Sequence, residues 1–230
     1  MVTVVMPCYN EGDILEGTVR DWHALVERIP GGRLLIVDDA STDDTPVILD
    51  GLKAELPRLD VVRAPANRGH GPTVVDGLQR AATEFVFHAD SDQQIPSEEF
   101  WQLWELRDDA DFVLGVRRNR ADGAFRKVIS TGARTVNVLL WRVHLRDANC
   151  PFKLMRREPL AKILVDLPDG LFAPMIAIAV LARVRGHRVV EVPVTHLPRT
   201  GGTQSLAGVV KWARTVQRCL AEAWSIRSHR

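Results

Sequence analysis

The sequence has too few cysteines for a disulfide framework. Cys8, Cys150 and Cys219 are widely spaced, odd in number and show no metal-ligand spacing. A reducing, cytoplasmic setting is the simpler expectation. Long apolar runs are also lacking. The longest, "GLFAPMIAIAVLAR", falls short of the about 20 residues that a bilayer-spanning helix needs, and reads as a core helix. The N-terminal "MVTVVMPCYNEGD" has no basic n-region and only a short apolar run, so no signal peptide is expected. No GxGxxG follows the first predicted strand and no GxxxxGKS/T occurs, which argues against a dinucleotide cofactor and an ATP P-loop. There is no His/Cys cluster suited to zinc, and His88, alone near a strand end, reads as a packed residue. Nor is there an internal repeat, a low-complexity tract or a linker.

What is present is a chain of 230 residues, enough for one sizeable core. Its net charge of +1 conceals an asymmetry. Residues 1–115 carry 9 Lys/Arg against 22 Asp/Glu, and residues 116–230 carry 21 against 7. The second half is therefore expected to meet something anionic. No nucleic-acid partner is expected.

Near-continuous Val/Ile/Leu runs predict strands at 3–7, 34–39, 61–65, 85–90, 111–116 and 189–194. Helical patterns lie between the early ones, near 12–29, 45–56 and 71–83, and later at about 125–142 and from about 205. Strand–helix alternation implies right-handed βαβ units and an α/β fold with a mostly parallel, Rossmann-like sheet flanked by helices. The expected organisation is one domain over 1–204, with an amphipathic helical extension over 205–230. In that last helix Lys211, Arg214 and Arg218 share a face beside Val209, Trp212, Val216, Leu220 and Trp224. Such a helix suits peripheral association with an anionic membrane surface.

The strand ends carry polar clusters. "PCYNEGD" follows the first strand, "DDASTDDT" the second, "ANRGHGPT" the third and "HADSDQQIP" the fourth. Singly each has an ordinary reading: Ser41 to Asp44 as a capping box, "NEGD" as a helix start, "RGHG" as a permissive loop. In a parallel sheet all four ends project from one edge, where ligands gather. Asp90 and Asp92, with a nearby amide, are hard oxygen donors suited to Mg²⁺ or Mn²⁺ bridging to a phosphate. A second DxD, Asp109 and Asp111, precedes its strand and reads as solvated surface.

These motifs, in order, with "HLPRTGGTQS" later, resemble the family 2 glycosyltransferases of GT-A fold. The likeness is greatest to the dolichyl-phosphate (polyprenyl-phosphate) mannosyltransferase and glucosyltransferase branch. The resemblance implies a nucleoside-diphosphate sugar donor, UDP- or GDP-linked, held by Pro7, Tyr9, Asn10, Glu11, Asp38, Asp39, Gly71, Asp90 and Ser205. It implies a divalent cation on Asp90, Asp92 and Gln94. Catalytic roles fall to Asp92, to Arg117 of "GVRRNR", to Arg199 of the glycine-hinged loop, and to Asp147 of "DANCPFKLMRR", where Pro151 replaces the family's usual Gly. The implied reaction is inverting transfer to a polyprenyl phosphate. The family's "ED" base motif and QxxRW segment are missing, which favours an acceptor that is already an anion over a hydroxyl that needs a base. A soluble enzyme acting on a hydroxyl acceptor is the alternative, with Asp147 as base. A nucleotidyltransferase or a non-catalytic nucleotide-sugar binder is more remote.

Overall fold

The structure of the chain, a computed structural model, describes residues 1–118 and 141–197. Seven strands and six α-helices are described: β1 (Val2–Cys8), α1 (Gly12–Glu27), β2 (Arg33–Asp38), α2 (Thr45–Glu55), β3 (Leu59–Arg63), α3 (His70–Arg80), β4 (Phe85–His88), α4 (Phe100–Trp104), β5 (Phe112–Arg118), β6 (Lys153–Arg156), α5 (Arg157–Val165), α6 (Pro174–Val184) and β7 (Val189–Thr195). The sheet order is β3-β2-β1-β4-β6-β5-β7. The order reverses between β1 and β4, which opens a crevice beyond their carboxyl ends.

The central strand β1 is buried along its whole length. Alternate side chains feed two cores. Val4 and Met6 join Leu15, Trp22 and Phe87 on one face, while Val5 joins Val74 and Leu78 on the other. The first core is built on aromatic rings. Phe87 stands 4.7 Å from Phe152, 4.9 Å from Phe100 and 5.6 Å from Trp22, centroid to centroid. Pro7 is tolerated near the end of this central strand because pairing with β4 stops at Val5–His88.

The expected strands and early helices are in place, and "GLFAPMIAIAVLAR" supplies the buried helix α6. The sheet is mixed. β6, which the sequence reading missed, runs antiparallel between β4 and β5. It is four residues long and contains a lysine, so neither length nor alternation marks it as a strand. Helices α4 and α5 were also unforeseen, and β4 ends at His88 rather than at Asp90. The helices expected at 125–142, apart from its end at Trp141, and from 205 onward, with the 204/205 boundary, lie outside the described residues.

One glycine fixes how α3 meets the second half of the chain. A Cβ added to Gly71 would stand 1.8 Å from the carbonyl oxygen of Leu171. Gly71→Ala is therefore expected to cost about 1–3 kcal/mol through overpacking. In a thermal melt that is a fall of roughly 3–10 °C. An unchanged melting temperature would show that the 171–172 segment yields freely.

Candidate active site

The first two strand ends are laced together. Asn10, at φ +53°, donates its backbone N–H to Ser41 Oγ at 2.9 Å and accepts from the Thr42 N–H at 2.8 Å. Asp43 accepts from the backbone N–H of Thr45 at 3.0 Å and of Gly12 at 3.2 Å, so one carboxylate serves the N-termini of both α1 and α2. Burial pushes that carboxyl up, but the hydrogen bonds from Thr45 and Gly12 outweigh it and hold it below the ordinary carboxylate value. Ser41 is not the helix cap that its spacing suggests. Its N–H and hydroxyl both turn back to Asp38 Oδ1. Cys8 is buried beneath this cluster; burial, then the charge of Asp38, push its thiol far up and leave it inert.

Asp38 and Asp39 are both buried, with 1% and 2% of their surface exposed. Asp39 accepts from the backbone N–H groups of Arg68 at 2.9 Å and Gly69 at 2.8 Å. Gly69 there adopts φ +88°, which a glycine takes without strain. The two carboxylates thus hold the loops that frame the crevice. Pro7 is buried near the end of β1, Tyr9 in the loop after it is exposed, and Glu11 stands just before α1.

Beyond β4, a cavity is lined by Asp90, Asp92, Gln94, Arg117, Pro151 and His196, among others. Consecutive glutamines tether its DxD loop on two sides. Gln93, at φ +56°, donates to Thr18 Oγ1 of α1 at 2.7 Å. Gln94 donates its side-chain amide to the Leu197 carbonyl at 3.3 Å and accepts the Leu197 N–H at its own carbonyl at 2.7 Å. Asp92 Oδ1 accepts the Gln94 N–H at 3.1 Å.

Among the described residues no three His, Cys, Asp or Glu side chains close into a preformed metal cage. Two carboxylates and an amide oxygen nevertheless match a hard cation that keeps waters and takes phosphate oxygens. Asp90 supports the fit, its side chain 30% exposed and lining the cavity beside Asp92 and Gln94. His196, which the sequence reading passed over beside the predicted Arg199, lines the same cavity.

Arg117 and Asp147 form a buried pair, 12% and 6% exposed in their side chains. Arg117 Nε and Nη2 donate to Asp147 Oδ2 at 2.8 Å and Oδ1 at 2.9 Å. Both oxygens of the candidate base are thus occupied by the guanidinium. Behind them Lys153 is wholly buried, donating to the carbonyls of Ala148 and Cys150. Burial pulls its ammonium down to about 8. Its position gave no signal, because an isolated lysine in "FKLMRR" reads as surface.

The second DxD is solvated surface at Asp109 but not at Asp111, which is half-buried and bonded to Arg188. Asp111 accepts the Arg188 N–H at 2.9 Å at the opposite edge of the sheet, and Asp109 is exposed. Arg199 and Ser205 lie outside the described residues.

A polar crevice at the switch point of such a sheet, with a DxD at its lip, is the arrangement expected of a GT-A glycosyltransferase. The chain belongs to glycosyl transferase family 2, whose model matches residues 3–164. It is 31% identical over 228 residues to an undecaprenyl-phosphate 4-deoxy-4-formamido-L-arabinose transferase of Sodalis glossinidius (strain morsitans), covering 95% of this chain and 67% of the relative. For such a transferase of Klebsiella pneumoniae the share of the relative is 61%, so the chain spans about two thirds of the length of these enzymes. It is 34% identical to an uncharacterized glycosyltransferase of Mycobacterium tuberculosis (strain ATCC 25618 / H37Rv), covering 91% of each. Among solved structures, glucosyl-3-phosphoglycerate synthase from Mycobacterium tuberculosis, in complex with Mn²⁺ and UDP-glucose, superposes with a TM-score of 0.69. The two chains are 17% identical, with 97% of this chain and 79% of that one covered.

Proposed function

We propose that this glycosyltransferase moves a sugar, with inversion, from a nucleoside-diphosphate sugar to a polyprenyl phosphate. The observation that carries the reading is the Arg117–Asp147 pair. A hydroxyl acceptor needs a general base within hydrogen-bond reach. Asp147 has both oxygens committed to Arg117. A phosphate oxygen is already anionic and needs no base, and Arg117 lines the cavity wall, where its guanidinium can offer further N–H donors to receive it. The likeness to undecaprenyl-phosphate transferases points the same way.

In this reading the Tyr9 ring offers a face to the nucleobase, and Asp38 and Asp39 hold the loops around base and ribose. Asp90, Asp92 and the Gln94 amide oxygen hold a Mg²⁺ or Mn²⁺, which when bound offsets charge on the departing diphosphate. The acceptor oxygen forms a bond to the anomeric carbon as the bond to the diphosphate breaks, and that electron pair leaves with the nucleoside diphosphate. Arg199 and Ser205 are proposed to contact the diphosphate. No helix among the described residues is long and apolar enough to cross a membrane. A lipid acceptor would then be met at the bilayer surface, where the basic 205–230 segment is the proposed contact.

The donor is identified by thermal shift with UDP, GDP, TDP and CDP, each with and without Mn²⁺. At a hundred times its Kd the correct nucleotide adds about 2.7 kcal/mol. That is a rise of roughly 5–10 °C for a chain of this size, seen only with the cation. Polyprenyl phosphate should then accelerate release of nucleoside diphosphate from the matching sugar donor. Transfer to water-soluble hydroxyl acceptors alone would overturn the lipid-phosphate reading and return Asp147 to the role of base.

A further inference from the structure

His88 is the last residue of β4 and is completely buried. Its backbone pairs with Val5 on one side and Lys153 on the other, so the ring cannot swing out. Nδ1 lies 2.6 Å from the carbonyl oxygen of Pro151. A carbonyl only accepts, so Nδ1 carries a proton, and the ring turns Nε2 outward. That atom has no hydrogen-bond partner among the described residues and faces Asp90 Oδ1 at 3.9 Å. Asp90 Oδ1 is itself buried and unpartnered. Two buried polar atoms without partners confront each other at a distance too wide for a direct hydrogen bond, and buried polar atoms left unmatched are costly.

A cation is a poor occupant of that gap. Lys153, the cross-strand neighbour of His88, already places a buried ammonium beside it. Magnesium and manganese also retain several waters, for which a fully enclosed histidine leaves no room. One water hydrogen-bonded to both atoms satisfies them. The third group near this oxygen, His70 Nε2 at 4.0 Å, sits on a side chain that is 54% exposed and open to solvent.

We propose that His88 is a positioning residue for the cation site, holding Asp90 Oδ1 through one bridging water so that Asp90 Oδ2 is presented to the metal. The inference rests on the cation reading of Asp90 and Asp92. It assigns a task to the polar residue buried two positions before the DxD. It also ties the Pro151 turn, on the acceptor side of the cavity, to the carboxylate on the donor side.

The test is Mn²⁺ binding, measured by electron paramagnetic resonance in the presence of the matching nucleoside diphosphate. His88→Leu should fold and bind Mn²⁺ about tenfold to a hundredfold more weakly, as for other groups that orient a metal ligand. His88→Gln, which keeps an acceptor at that place, should recover most of the affinity. His70→Ala should leave it unchanged. Equal Mn²⁺ affinity in wild type and a folded His88→Leu, or an equal loss from His70→Ala, overturns the proposal. No Mn²⁺ binding by the wild type would instead remove the cation reading, and the role of His88 with it. A high-resolution crystal structure of the wild type decides the matter independently of folding in the variants. It should show a water within hydrogen-bond reach of both atoms, and a direct bond or a metal there overturns the proposal.

Discussion

Asp92→Asn is expected to keep the fold and lower sugar transfer by about a thousandfold or more. The fold survives because the residue stands in the loop beyond β4, outside the aromatic core, and its Oδ1 accepts the Gln94 N–H. An asparagine oxygen can keep that bond. What is lost is one of the two charges proposed to hold the cation. Charge stabilisation of a leaving diphosphate is worth several kcal/mol, and about 4 kcal/mol is a thousandfold in rate. Asp109→Asn is the internal control, since that residue is exposed at the far edge of the sheet. Steady-state turnover and a thermal melt on both variants decide the point. Equal losses of activity would show that strand-end placement does not separate the two DxD copies.

Arg117→Ala is expected to damage stability as well as activity. Removing one partner of a buried ion pair leaves the other charge uncompensated, at a cost of about 3–5 kcal/mol. For a chain of this length that is a fall in Tm of roughly 6–20 °C. Replacing the pair together, Arg117→Met with Asp147→Leu, should restore most of the stability, because a well-packed apolar pair avoids desolvating two charges. It should restore no activity if Arg117 meets the acceptor phosphate. A double variant that transfers sugar at the wild-type rate would remove both residues from the mechanism. A single variant that melts like the wild type would show the pair to be effectively solvated.

The parts of this architecture that the sequence made legible are local. "TVVMP" and "LLIVDD" declare buried strands by composition within a few residues, and the polar runs after them sit at one edge by topology alone. The DxD was legible for the same reason, as a contiguous pattern at a strand end. Pairings between distant segments left no such trace. Arg117 and Asp147 are 30 residues apart and became a buried pair only through the insertion of β6. Lys153 resembles any surface lysine until the strand that carries it is placed between two others. Asp38 and Asp39 look like outward ligands in "DDAST", yet each accepts hydrogen bonds from its own loops. His88 reads as a packed residue, and packing is what the structure gives it, but periodicity says nothing about where an imidazole lone pair points.

The one antiparallel strand among those described, β6, marks where the sheet passes from the first part of the chain to the second. The strands β3, β2, β1 and β4 come from the first 88 residues and carry the proposed nucleotide side. The strands β6, β5 and β7 come from residues 112–195 and carry the proposed acceptor side. Between the two sub-sheets runs a ladder of only four residue pairs, Phe85–Arg156 to His88–Lys153. A recombination point in the α4 region would therefore hand one donor-binding half to different acceptor-binding halves. Such an exchange would have to re-match the packing across the join: Phe152 against Phe87 and Trp22, the fit of Gly71 under Leu171, and the bond from His88 to the Pro151 carbonyl. Under the proposed function, a lineage that keeps those contacts could vary what receives the sugar while keeping what delivers it.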